Sequence, residues 1–262
     1  MGTFLKVDQQ GNIIKEASID KIQSQWLPIV EEVKNTYLNQ YGTSLHSVYI
    51  RGSVVRGEAV ENISDVDTLA IIKLAKKDID VSWEKNFNEK LKKDYPFCTG
   101  VEICAIPFDE RNVSDIPLMI KVHGVCIYGE DLNNEFKNIK IGIPAMVHTP
   151  LLGKDIQYLR QMLAKDNNDH FYEEKCRWIA KRILRTSFEI LMEREKKYTR
   201  DLDLCYDVFS KYYPEQCEEM KKVLELALKP TSDKNKIAEM LDSIGLWLVN
   251  KVDVEYPDLI KI

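Results

Sequence analysis

The chain is poor in the residues that build metal clusters and disulfide frameworks. Four histidines and six cysteines are spread over 262 residues. Cys98, Cys104, Cys126, Cys176, Cys205 and Cys217 form no Cys-x-x-Cys pair and no regular spacing, which excludes a disulfide scaffold and reads as reduced thiols. Positive charge is not in excess either. Thirty-seven Lys and Arg stand against 42 Asp and Glu, a net charge of −5, which argues against a nucleic-acid partner, because neutralising phosphates takes a basic face. No apolar run approaches the roughly 18 residues a membrane span needs, and the first residues lack the apolar core of a secretory signal. The expected address is the cytoplasm, with no membrane partner. Low-complexity segments and internal repeats are missing as well.

What is present is an ordinary globular composition, 44% hydrophobic and 30% charged, organised in two halves. Residues 4–15 alternate around Gln10-Gly11-Asn12, which predicts a turn between two short strands. Ile19, Ile22, Trp26, Val30, Val33 and Tyr37 then recur at steps of three and four. That is a helical pattern, with a kink or split expected at Pro28 and an end at Gly42. Residues 46–50, 66–73, 99–106 and 122–128 read as strands. Residues 82–93 read as an amphipathic helix with Trp83, Phe87 and Leu91 on one face. After Pro150 strand signals fade, and amphipathic helices are expected over 154–165, 171–196, 202–213, 215–228 and 234–250, broken at Pro214 and Pro230. The fold class is α+β: residues 1–150 with a small mixed sheet flanked by helices, and residues 151–262 as an all-α bundle.

One stretch carries chemistry. A strand leads into Gly52-Ser53-Val54-Val55-Arg56-Gly57, followed by Ser64-Asp65-Val66-Asp67. A strand–Gly-Ser–helix junction presents backbone N–H groups at the positive end of a helix, and glycine lets a phosphate approach the main chain. The Ser53 hydroxyl can add a hydrogen bond and Arg56 a charge. Asp65 and Asp67, two apart at a strand mouth, are expected on one face. At about 4 Å two such charges repel by about 4 kcal/mol for an effective dielectric of about 20, a cost that protonation, basic partners or a divalent cation relieves. Glu102, alone in an apolar strand, needs a partner or a metal for the same reason. If its strand adjoins that of Asp67, three carboxylates converge opposite the Gly-Ser turn, an arrangement that suits two-metal phosphoryl chemistry.

The run GSVVRGEAVENISDVDTLAII, with a later strand carboxylate, resembles the nucleotidyltransferases of the polymerase β superfamily, and the antibiotic adenylyltransferases in particular. The helical half, with Tyr198-Thr199-Arg200-Asp201, Phe209 and Tyr213-Pro214, resembles the second domain of the streptomycin/spectinomycin adenylyltransferases. The resemblance implies that Gly52 and Ser53 hold the triphosphate of ATP and that Asp65 and Asp67 ligate Mg²⁺, two ions in all. It makes Glu102 a metal ligand or the general base. A basic residue of the helical half, Arg200 or else Lys196 or Lys197, would reach the nucleotide phosphates. The segment 107–120 is shorter than in those enzymes and carries no tryptophan to stack on an antibiotic ring, which leaves the acceptor open.

The activity expected on this resemblance is transfer of AMP from ATP to a hydroxyl of a small polar acceptor, of aminoglycoside or aminocyclitol type, lying between the two domains. Two other readings use the same residues: a protein-modifying nucleotidyltransferase of toxin–antitoxin type, and a nucleotide-binding sensor without turnover. The large helical half counts against the first, and the intact carboxylates against the second.

Overall fold

The computed structural model describes residues 3–113, 115–165 and 167–259. The chain divides into two compact units, Ile14–Ile139 and Met1–Ile13 with Lys140–Ile262.

In the first unit two 3-10 turns, Ile19–Lys21 and Ser24–Trp26, lead into helix α1, Leu27–Tyr41. Pro28 lies in the first turn of α1. Its missing N–H has no intrahelical acceptor to lose there, so the proline starts the helix where a kink had been expected. Gly42 ends α1 with φ +50°. Strand β1, Leu45–Arg51, runs into the short helix α2, Gly52–Arg56, and β2, Val66–Ile72, follows. After helix α3, Glu84–Asp94, come β3, Val101–Glu102, and β4, Ala105–Pro107. Helix α4, Ile116–Leu118, continues as a π-turn to His123 before β5, Val125–Gly129.

The sheet order is β3-β2-β1-β5, with β4 also paired to β2. β1 is antiparallel to β2 and β5, whereas β3 and β4 run parallel to β2. The single strand expected over 99–106 is thus two pieces in unbroken register along β2, with Val66 opposite Val101 and Ala70 opposite Ala105. A side chain fills the gap. The Thr68 hydroxyl donates to the Glu102 carbonyl (2.7 Å). With its one proton so used, it accepts from the Tyr37 hydroxyl (2.6 Å).

Every residue of β1 is buried, because both sheet faces are covered. Val48, Ile50, Ala70 and Ile72 pack with Trp26, Ile29, Val33 and Tyr37. On the opposite face Tyr49, Leu69 and Ile71 pack with Ile116, Ile120 and Leu132. Successive strand residues alternate between these two cores, so the strands read as apolar runs without polar alternation.

The second unit is built of helices: α5, Leu152–Leu163; α6, Asp169–Glu189; α7, Met192–Glu195; α8, Leu202–Tyr212; α9, Cys217–Leu228; α10, Lys234–Met240; and α11, Leu246–Glu255. The Asn168 side chain caps α6 by accepting from the Phe171 N–H (2.8 Å). The helix expected over 171–196 stops at Glu189, and Lys196, at φ +51°, closes α7. The expected hairpin over 4–15 is reduced to one bridge, Val7 to Ile13. Asp8 takes the turn's hydrogen bonds with its side chain, accepting from the N–H groups of Gln10 (2.9 Å) and Asn12 (2.8 Å). Among the described residues no helix is long and apolar enough to cross a membrane.

Candidate functional site

The end of β1 sets the site. Arg51 is the last β1 residue and the register partner of Asp67 on β2, and Asp67 is the partner of Glu102 on β3. Three charged residues therefore stand side by side across three strands where the chain turns into Gly52. Gly52 has φ +76°, and a Cβ there would overlap the Asp67 carboxylate. Only glycine can both take this left-handed conformation and leave the carboxylate its place.

Arg51 is buried. Its guanidinium donates to the Thr68 carbonyl from Nε (3.4 Å) and Nη2 (3.3 Å) and comes within 3.8 Å of the Glu102 carboxylate. The Glu102 carboxyl is nonetheless pushed up to about 7. Crowding by protein atoms contributes first, although 58% of its side-chain surface stays open; a hydrogen bond shared with Asp67 and the Asp67 charge come next. Arg51 opposes the shift and Asp65 adds a smaller push upward. With so much surface open to water, the adjacent Asp67 carboxylate is the more robust of these causes.

Asp65 behaves differently from its neighbour. It precedes the first residue of β2 and is exposed. Among the described residues no three His, Cys, Asp or Glu side chains group so as to hold a metal ion. The structure brings together Asp67 and Glu102, and leaves Asp65 within electrostatic reach of them.

On the other side of the turn, Ser53 is half-buried in the first turn of α2. Arg56 at the end of α2 donates from Nε to Glu58 (2.7 Å), so its charge is already shared with a carboxylate. Arg200 and Lys197 belong to the helical unit. Arg200 is half-buried, and Lys197 is exposed with its ammonium 4.8 Å from the Phe4 ring centroid.

Three supporting residues escape a reading of the sequence. Arg51 reads as a strand end, yet it is the buried cation beside Glu102. Thr68 reads as a β-branched strand filler, yet its hydroxyl joins Tyr37 to the Glu102 main chain. Asn88 on α3 pairs with both main-chain groups of Val101, accepting from its N–H (2.7 Å) and donating to its carbonyl (3.0 Å). The side-chain amide thereby takes the place of a further strand along β3. An isolated cation at the end of an otherwise apolar strand, as at Arg51, is the one signal that could have been read.

No protein family matches the sequence, and no curated protein sequence matches it. Among solved structures the chain is similar to the spectinomycin adenyltransferase AAD(9) from Enterococcus faecialis, in a crystal structure with ATP and spectinomycin. The two share 14% identity and a TM-score of 0.51, over 86% of this chain and 98% of that chain. At that identity the likeness is one of fold. The chain has the α+β fold of that adenyltransferase, with a small mixed sheet in one part and mainly helices in the other.

Proposed function

We propose that the protein is a Mg²⁺-dependent nucleotidyltransferase that moves AMP from ATP to a hydroxyl of a small polar acceptor. The observation that carries this reading is the pairing of Asp67 with Glu102 against the Gly52 turn. Two carboxyl groups in register on adjacent strands form a hard-oxygen donor set once ionised. Mg²⁺ is typically held by one or two carboxylates plus substrate phosphates, so these residues fit the ion. Asp67 would hold it, with Asp65 adding charge from the strand mouth, which leaves Glu102 to move a proton. When bound, the ion supplies charge stabilisation to the phosphates.

The chain's own residues account for the remaining steps. Gly52 and Ser53 present main-chain N–H groups to the triphosphate, and Arg56 adds charge at the end of α2. Glu102, with its carboxyl near 7, suits a general base. It takes the proton of the acceptor hydroxyl as that oxygen bonds to the α-phosphorus and the bond to pyrophosphate breaks. The AAD(9) structure was obtained with ATP and spectinomycin, which supports a nucleotide and a small acceptor here.

The test is incubation with labelled ATP, Mg²⁺ and a panel of aminoglycosides and aminocyclitols. Acceptor-dependent release of pyrophosphate with a labelled small product supports the reading. Label on protein alone, or tight ATP binding without release of pyrophosphate, overturns it.

A further inference from the structure

Glu102 stands on β3, a strand of two residues at one end of the sheet order. The main chain there faces two ways in turn. The Gly100 carbonyl accepts from the Val66 N–H (3.0 Å) and the Glu102 carbonyl from the Thr68 hydroxyl (2.7 Å), so both face inward to β2. Val101, between them, turns its N–H and its carbonyl the other way, toward α3. An edge strand leaves such groups as a row of unpaired donors and acceptors. Here Asn88 answers both, with Oδ1 accepting from the Val101 N–H (2.7 Å) and Nδ2 donating to the Val101 carbonyl (3.0 Å).

Two further observations extend the contact. Glu84 is four residues before Asn88 on α3 and so lies on the same helical face. Its Oε1 is 3.5 Å from the Ile103 N–H. One face of α3 therefore meets the residue before Glu102 and the residue after it. A Cβ at Gly100 would lie 3.1 Å from Asn88 Oδ1, so the glycine leaves the amide its place.

The Glu102 side chain is not held at its far end in the same way. Its surface is 58% open, and the Arg51 guanidinium comes no closer than 3.8 Å. The placement of its carboxyl group therefore depends on how firmly its main chain is held. Water could satisfy the outward groups of Val101 as well as an amide does. What the amide adds is a fixed distance between α3 and β3, because both of its polar atoms are engaged at once.

We propose that Asn88 is a positioning residue for Glu102, clamping Val101 so that the Glu102 carboxyl stays level with Asp67. The role in turnover rests on the transferase reading, which gives Glu102 a proton to move. The clamp itself does not depend on it.

Asn88→Ala and Phe87→Leu are compared with the wild type in the full-length protein. Phe87 is buried on the same helix in the core beneath the sheet, so its variant loosens packing and leaves the amide in place. Asn88→Ala is expected to lose at least about tenfold in kcat, since misplacing a reacting group by about 1 Å can cost about 10²-fold. Its KM for ATP should stay within about twofold, as for an interaction felt in the transition state alone. Phe87→Leu should keep kcat within about twofold although its denaturant midpoint falls. In ¹⁵N-labelled protein the Glu102 amide order parameter should drop in Asn88→Ala from about 0.85 toward about 0.6, with Leu69 and Ile71 unchanged. Wild-type kcat in Asn88→Ala, an equal loss of kcat in Phe87→Leu, or an unchanged Glu102 order parameter overturns the proposal. A wild type that releases no pyrophosphate, with Glu102 still losing order in Asn88→Ala, overturns the transferase reading and supports the clamp.

Discussion

Asp67 and Glu102 occupy the same level of two parallel strands, and their carboxyl groups share a hydrogen bond at the mouth of the sheet. Burial first, then the paired Asp67 carboxylate, pushes the Glu102 carboxyl up to about 7. Asp67→Asn and Glu102→Gln remove one charge each while keeping shape. Both are expected to retain the wild-type unfolding midpoint and to lose nucleotidyl transfer by about 10²–10⁴-fold, the range for a lost general acid or base. Steady-state turnover beside a denaturant melt measures the two effects apart. Transfer at the wild-type rate in Glu102→Gln would remove Glu102 from the reaction.

Gly52→Ala separates the turn from the carboxylates. At φ +76° an alanine costs roughly 1–2 kcal/mol in backbone strain, and its Cβ would displace the Asp67 carboxylate. Misplacement of a reacting group by about 1 Å can cost about 10²-fold in rate. Gly52→Ala is therefore expected to lose turnover far beyond its loss of stability, with crystallography of the variant showing Asp67 moved. A variant with native stability and native turnover would mean that the close approach at Gly52 has no part in catalysis.

The parts of this site that were legible in the sequence obey local rules. An apolar run entering Gly52-Ser53 marks a strand and a turn. Glu102, alone among apolar residues, announces a partner, and strand adjacency supplies Asp67. Asp65 lies one residue before β2 begins, at the edge of the alternation that a spacing of two relies on. Thr68 carried no signal, since a buried threonine in a β-branched run looks like packing until Tyr37, 31 residues away, is brought to its hydroxyl. The end of α6 was hidden for the same reason. Glu189 looks like a surface residue of a long helix, but the loop 147–149 that it binds is some 40 residues upstream. Local pattern read the elements and one carboxylate pair. Contacts made across long chain separations decided the rest.

Thr68→Val tests whether that hydroxyl supports the site. The change leaves the Tyr37 hydroxyl without its short bond and the Glu102 carbonyl without its donor, and buried unmatched groups cost about 1–3 kcal/mol. Tyr37→Phe alone removes one partner cleanly. The double variant is expected to lose less stability than the two single losses added together, by about 0.5–3 kcal/mol. Strict additivity in a urea double-mutant cycle would show that the two hydroxyls do not interact energetically.

Glu189 links stability to pH. Burial pushes its carboxyl from 4.5 up to about 7, against the opposing hydrogen bonds from Thr149, His148 and Val147. Between those two values the folded chain holds a proton that the unfolded chain has released. Folded stability from this group is therefore complete below about 4.5 and is lost as pH rises through about 7, at up to about 1.4 kcal/mol per pH unit. Glu189→Gln cannot titrate, and its amide offers one acceptor oxygen where the carboxylate offers two. Below about pH 4.5 the variant should be less stable than the wild type by about 1–3 kcal/mol, where the loop donors lose their acceptor. Its deficit relative to the wild type should narrow between pH 5 and pH 8. Denaturant midpoints measured at half-unit steps give the deficit directly, and one that stays constant or widens toward pH 8 would show that the Glu189 proton is not held more tightly in the folded state.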